Sequence, residues 1–176
     1  MNTLWLFLKN LLFTLMVPGF VAGRVPLVWL QRNARLPELW TARHYAALPL
    51  LLAGAAVYLH CVWHFAVTGR GTPAPIDAPI KLVQRGLYRW VRNPMYLGVL
   101  LFVLGETLFY WHLTLALYFI FLASAFQIFL VAWEEPALHR RFGALYSDYC
   151  NWVPRWLPRP PRPRLETVAP FDPRLR

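Results

Sequence analysis

Two groups of residues in this 176-residue chain have the types and spacing to do chemistry. The first is KLVQRGLYRWVRNPMYLG, Lys81 to Gly98, in which four cations interleave with Tyr88, Trp90 and Tyr96 and lead into Asn93-Pro94. Pro94 removes a backbone donor and disfavours helix at the residue before it, so Asn93 is expected to cap a following helix. The second group is Glu134, Glu135 and Pro136, at the end of a purely apolar run. Adjacent carboxylates there are costly unless they sit in water or are paired. Either they mark a membrane surface, or one accepts hydrogen bonds from a cationic or amino-bearing ligand. His60 and His64, four apart, share a helix face; that suits haem or a metal, and equally two interfacial histidines facing headgroups. Glu106 lies inside another apolar run, facing either a bundle interior or the interface near Trp111.

The elements that must position these residues are helices in lipid. Hydrophobic residues make up 58% of the chain and charged residues only 15%, well below the roughly one quarter of a soluble domain. The charges vanish from windows of about 20 residues, the length a helix needs to cross a bilayer. The pattern predicts an all-α membrane bundle with about four main spans: Leu4 to Val21, Tyr45 to Val67, Met95 to Trp111 and Leu113 to Trp133. Trp111-His112 leaves the last two almost no linker, which predicts a tight hairpin. Gly98 and Gly105, two turns apart on one face, are expected to admit close helix packing. Between Arg24 and Arg43, four Arg interleaved with Trp29, Trp40 and aliphatic residues suit a segment lying in the interface. Leu138, Phe142, Leu145 and Tyr149 form one stripe of an amphipathic helix on the cytoplasmic side. Residues 1–153 read as a single membrane-embedded domain, and 154–176 as an extended tail rich in Pro and Arg.

The net charge is +10, from 18 Lys and Arg against 8 Asp and Glu. These cations border apolar spans and no nucleic-acid motif accompanies them, so anionic headgroups, and not nucleic acid, are the expected partners. The loop Thr68–Arg92 and the stretch after Trp133, with eight Arg, fall at one end of the predicted hairpin. The positive-inside rule makes that end cytoplasmic, in an inner (cytoplasmic) membrane, although the four Arg between Arg24 and Arg43 run against it. The two cysteines, Cys61 and Cys150, suggest no disulfide framework.

The stretch from Gly69 to Pro158 resembles the membrane-embedded S-adenosylmethionine-dependent methyltransferases, a group that includes isoprenylcysteine carboxyl methyltransferase and the phospholipid N-methyltransferases. Two blocks carry the resemblance. LVQRGLYRWVRNPMYLG is similar to a pattern of Leu-Val, Gly-x-Tyr and Arg-His-Pro-x-Tyr-x-Gly. EEPALHRRFGALYSDYCNWVPRWLP is similar to a Glu pair followed by Phe-Gly-x-x-Tyr-x-x-Tyr and Val-Pro. The resemblance implies a cofactor pocket lined by Lys81, Leu82, Val83, Tyr88, Asn93, Pro94, Met95 and Tyr96, with Glu134 as acidic partner. It implies methyl transfer from S-adenosylmethionine to a lipid or lipophilic acceptor, with no metal and no residue assigned as a catalytic base. Asn93 replaces the usual His, as it does in the phosphatidylethanolamine-methylating branch, and it cannot titrate near pH 7. Leu130 stands where the isoprenylcysteine enzymes place a substrate-contacting Arg, which argues against a prenylcysteine carboxylate as acceptor. The rival reading is a non-enzymatic membrane protein that binds haem or metal through His60 and His64.

Overall fold

The computed structural model describes Thr14, Met16 and residues 18–33, 39–64 and 82–161, with residues 31–33 described by backbone alone. Every regular element among them is helical. The order is α1 (Val25–Asn33), α2 (Ala42–His64), α3 (Pro94–Tyr110), α4 (Leu113–Phe129), α5 (Glu135–Phe142) and α6 (Ala144–Trp152). A 3-10 turn, Gly86–Arg89, precedes α3.

Two π-helical turns interrupt otherwise continuous helix, Phe20–Arg24 before α1 and Leu130–Glu134 between α4 and α5. Both have the same cause in the sequence. A proline stands two residues beyond each turn, Pro26 and Pro136, and it can neither donate to the carbonyl four residues back nor clear it sterically. The chain widens instead: Val25 N–H bonds to the Phe20 carbonyl and Glu135 N–H to the Leu130 carbonyl, five residues back.

Helices α2 and α3 pack backbone to backbone. A Cβ on Gly54 would lie 2.6 Å from Phe102 N and 2.7 Å from the Gly98 carbonyl, and one on Gly98 would lie 2.9 Å from the Gly54 carbonyl. At Gly105 the added carbon would meet the Leu51 side chain at 2.8 Å. The expected close approach is therefore real, and Gly54 on α2 is its partner. Around it Tyr58, Val99, Val103 and Leu122 form a buried cluster that joins α2, α3 and α4. The α3–α4 hairpin closes in two residues: Trp111 adopts the left-handed conformation, and His112 Nδ1 accepts the Thr114 N–H at 3.2 Å.

Among the described residues, two helices are long and apolar enough to cross a membrane, Ala42–His64 and the continuous stretch Leu113–Phe142. Only 22% and 17% of their most apolar windows are buried inside the protein. Their outer faces display Leu52, Leu59, Trp63, Leu117, Ile120, Phe121, Ile128 and Trp133, a surface suited to lipid and not to water. The other two apolar helices are shorter. Pro94–Tyr110, at 17 residues, rises about 25 Å, and Phe20–Leu30 is a little over half that length. Most of the expected first span, Leu4 to Val21, lies outside the described residues, as do residues 65–81 and 162–176. Where the apolar stripe from Leu138 to Tyr149 predicts one helix, there are two. Gly143, at φ 52° and ψ −128°, breaks the stripe between α5 and α6, in a conformation that a residue with a Cβ adopts only under strain.

Candidate functional site

The two blocks meet at the end of the bundle where α3 begins and α4 ends. Tyr96, in the first turn of α3, donates its hydroxyl to Glu134 Oε2 at 2.5 Å, and its ring stands edge-on to Phe126 of α4 at 4.8 Å. The π turn delivers Glu134 to this point and points Glu135 elsewhere, since consecutive helical residues differ by about 100° around the axis. Their partners differ accordingly. Glu135 is held by a two-pronged guanidinium: Arg155 Nε and Nη2 each donate to one carboxylate oxygen at 2.8 Å, and Arg92 Nη1 adds a contact at 3.3 Å. Glu134, half-buried, accepts from Tyr96 alone among the described residues. It keeps acceptor capacity that Glu135 has used, since a carboxylate offers about four lone-pair sites.

Asn93 stands at the N-cap of α3, but its side chain does not cap the helix, as the Asn-Pro pair had led us to expect. Its Nδ2 donates instead to the Arg155 carbonyl at 3.2 Å, because the segment after α6 folds back across it. Pro94 is fully buried, and Met95 is half-buried between the two core clusters beside it. Val83 and Tyr88 sit behind this edge, packed on Cys61 of α2. The Tyr88 hydroxyl hydrogen-bonds to the Cys61 sulfur, and its carbonyl accepts the Tyr149 hydroxyl at 2.7 Å. Burial pushes both phenols above the ordinary tyrosine range, so they stay protonated donors. Leu82 packs on the cluster of Tyr146, Tyr149 and Val153. Lys81 lies outside the described residues. Tyr96 thus meets Glu134 directly, Asn93, Pro94 and Met95 precede it at the start of α3, and Met95, Val83 and Tyr88 pack together in the core while Leu82 joins the neighbouring cluster.

Leu130 is fully buried, below Glu134 on α4, and faces no open space. The rings of His60 and His64 lie 4.5 Å apart. A Cβ on Gly86, at φ +58°, would fall 2.7 Å from Nε2 of each, so the pair is packed around a tight turn. No group of three or more His, Cys, Asp or Glu suited to a metal occurs among the described residues, and nothing found there supports the haem or metal reading. Cys61 and Cys150 are free thiols.

Sequence reasoning passed over Arg155, Gln127 and Trp156. The Trp156 indole donates to Gln127 Oε1 on α4 at 2.7 Å. No periodicity links positions 20 or 29 apart in an irregular segment. The one available signal was that Arg155 and Trp156 sit directly after Val153-Pro154, inside the second block.

A family model described as phospholipid methyltransferase matches residues 42–144, from the start of α2 to the start of α6. No curated protein and no solved structure matches the chain.

Proposed function

Since this chain belongs to the phospholipid methyltransferase family, we propose that it transfers a methyl group from S-adenosylmethionine to a lipid or lipophilic acceptor within the membrane. The observation that carries the reading is the asymmetry of the acidic pair: Glu135 is held by Arg155 and Arg92, while Glu134 has, among the described residues, a single hydrogen bond, from Tyr96.

The donor set suits the cofactor. Glu134 holds its ammonium group, because a charge-assisted hydrogen bond needs an acceptor with free lone pairs. Met95 and Tyr96 offer apolar and aromatic surface to the adenine and the sulfonium, with Pro94 buried beneath them and Leu82, Val83 and Tyr88 stiffening the wall behind; Lys81 is assigned to the pocket by the resemblance alone. S-adenosylmethionine supplies a methyl group that is already activated. The chain therefore has to align acceptor and donor and to exclude water, and none of its residues is assigned as a base. Asn93 hydrogen-bonds without titrating, which fits that division of work.

Four spans, with the Leu4 to Val21 run as the first, form one membrane-embedded domain over residues 1–153. The cationic loops place the cofactor end at the cytoplasmic face of the inner membrane, against anionic headgroups. The acceptor enters sideways from the bilayer. With Leu130 where an Arg would pair a prenylcysteine carboxylate, a charged acid entering from lipid has no partner and meets a desolvation cost of several kcal/mol. A lipid amine or another uncharged nucleophile is preferred. Calorimetry in nanodiscs should register binding of S-adenosylmethionine and of its demethylated product. The absence of heat for both, with helicity verified by circular dichroism, overturns the reading. A radiolabel assay should favour phosphatidylethanolamine and its methylated forms over farnesylcysteine. Efficient methylation of farnesylcysteine, abolished in Arg92→Ala, would show that another Arg replaces the missing one.

A further inference from the structure

Past the end of α6 the chain runs back across the first block. Arg92 N–H bonds to the Pro154 carbonyl at 2.8 Å, and Arg159 N–H bonds to the Trp90 carbonyl at 2.9 Å. These are backbone bonds, so they fix the path of the segment whatever its side chains. Between them lies Arg155. Its guanidinium takes Glu135 in the two-pronged pair, and its own carbonyl accepts from Asn93 Nδ2. One residue thus ties Asn93 of the first block to the carboxylate next to Glu134 in the second. It lies beyond residue 144, outside the part of the chain that the family model covers.

We propose that Arg155 is a positioning residue for the cofactor site: it neutralises Glu135, holds Asn93 in register, and leaves Glu134 as the carboxylate offered to the ligand. The inference rests on the proposed use of S-adenosylmethionine. A planar fork holding both oxygens of Glu135 restricts rotation of that side chain, and with it the backbone turn that aims Glu134. Arg92 shares the load from the other side, donating Nη1 to Cys150 Sγ at 2.8 Å while touching Glu135. Nothing in the arrangement requires Arg155 to touch the cofactor.

The test uses the full chain in nanodiscs, titrated with S-adenosylhomocysteine and with its deaminated analogue. In the parent both should bind, the analogue more weakly. No binding of either by the parent overturns the functional reading and this inference with it. Given a parent that binds, Arg155→Gln should weaken both ligands about equally, by roughly tenfold, because it disturbs aim and not the ammonium contact. The KM for S-adenosylmethionine should rise in step, with kcat at saturating cofactor and the KM for the lipid acceptor unchanged. Glu135→Gln should reproduce the loss, and the double variant should be no worse than either single one, the signature of one shared interaction. Arg155→Lys, which keeps the charge but loses the fork, should recover part of the affinity, and it carries the measurement if Arg155→Gln fails to fold. Parental affinity in Arg155→Gln overturns the inference while leaving the functional reading intact. So do additive losses in the double variant, or a KM for the acceptor that rises as much as that for the cofactor.

Discussion

The two ends of α3 solve the problem of polar groups beside lipid in different ways. At the Asn93 end, partners come from far along the chain: Tyr96 with Glu134, Asn93 with Arg155, Arg92 with Glu135, Cys150 and Pro154. Among the described residues, Arg92 Nε is the one buried side-chain atom there without a hydrogen-bond partner. At the Glu106 end, most bonds among the described residues are local, with one long reach from the Tyr118 hydroxyl to the Val21 carbonyl at 2.7 Å. Thr41 N–H donates to His44 Nδ1 at 2.8 Å, so the third residue of α2 reaches back to the residue before the helix, while His112 caps α4 directly by accepting the Thr114 N–H. Glu106 Oε2 is buried there with no hydrogen-bond partner among the described residues. An end that mainly starts and stops helices can take most of its hydrogen bonds from neighbours in sequence. The end to which we assign the ligand takes its groups from distant segments, which fix them from several directions.

The sharpest test of this contrast is Glu134→Gln. If the Asn93 end is the ligand end, affinity for S-adenosylhomocysteine should fall roughly 10- to 150-fold, the worth of a charge-assisted hydrogen bond. The deaminated analogue, which lacks the ammonium, should be almost unaffected. Loss of both ligands to the same degree would mean that Glu134 serves the fold and not the cofactor.

Gly54→Ala probes the packing on which both ends depend. The added carbon meets backbone atoms, which cannot swing aside, so the helices must part at a cost of about 1–3 kcal/mol. Thermal unfolding in detergent should show a lowered midpoint, and an unchanged midpoint would mean that the two helices slide freely.

At the opposite end, Glu106→Leu should stabilise the protein by about 1–2 kcal/mol, since it removes a buried polar atom that lacks a partner. Methyl transfer should persist in this variant. If transfer disappears while the fold holds, the contrast fails, and the Glu106 end does chemistry too.

The smallest effect is expected from Trp156→Phe, which keeps the ring but loses the bond to Gln127, worth about 0.5–1.5 kcal/mol. Limited proteolysis after residue 152 should quicken modestly. Unchanged cleavage would show that the backbone bonds of Arg92 and Arg159 suffice to hold the segment.

Much of the bundle was legible in the residues. Apolar runs bounded by Trp and Pro marked Ala42–His64, Pro94–Tyr110 and Leu113–Phe129 to within a few positions, because solvent decides where a helix may leave lipid. Gly98 and Gly105 announced a close approach, since only their missing side chains allow it. The break at Gly143 was less visible, because a single glycine inside an apolar stripe is compatible with either a continuous or an interrupted helix.

The difference between Glu134 and Glu135 could not be read this way. The two are neighbours, of one chemical type, at the end of one apolar run, and sequence alone makes them interchangeable. A rotation of about 100° between them sends one toward Tyr96 and the other toward Arg155, 20 residues further on. The sequence by itself determined that a carboxylate would stand where α4 ends, because burial, proline and helix length are local matters. Which carboxylate keeps lone pairs to spare was decided only when α3, the turn before α5 and the segment after α6 came together, because occupying the other takes a guanidinium brought from a distant part of the chain.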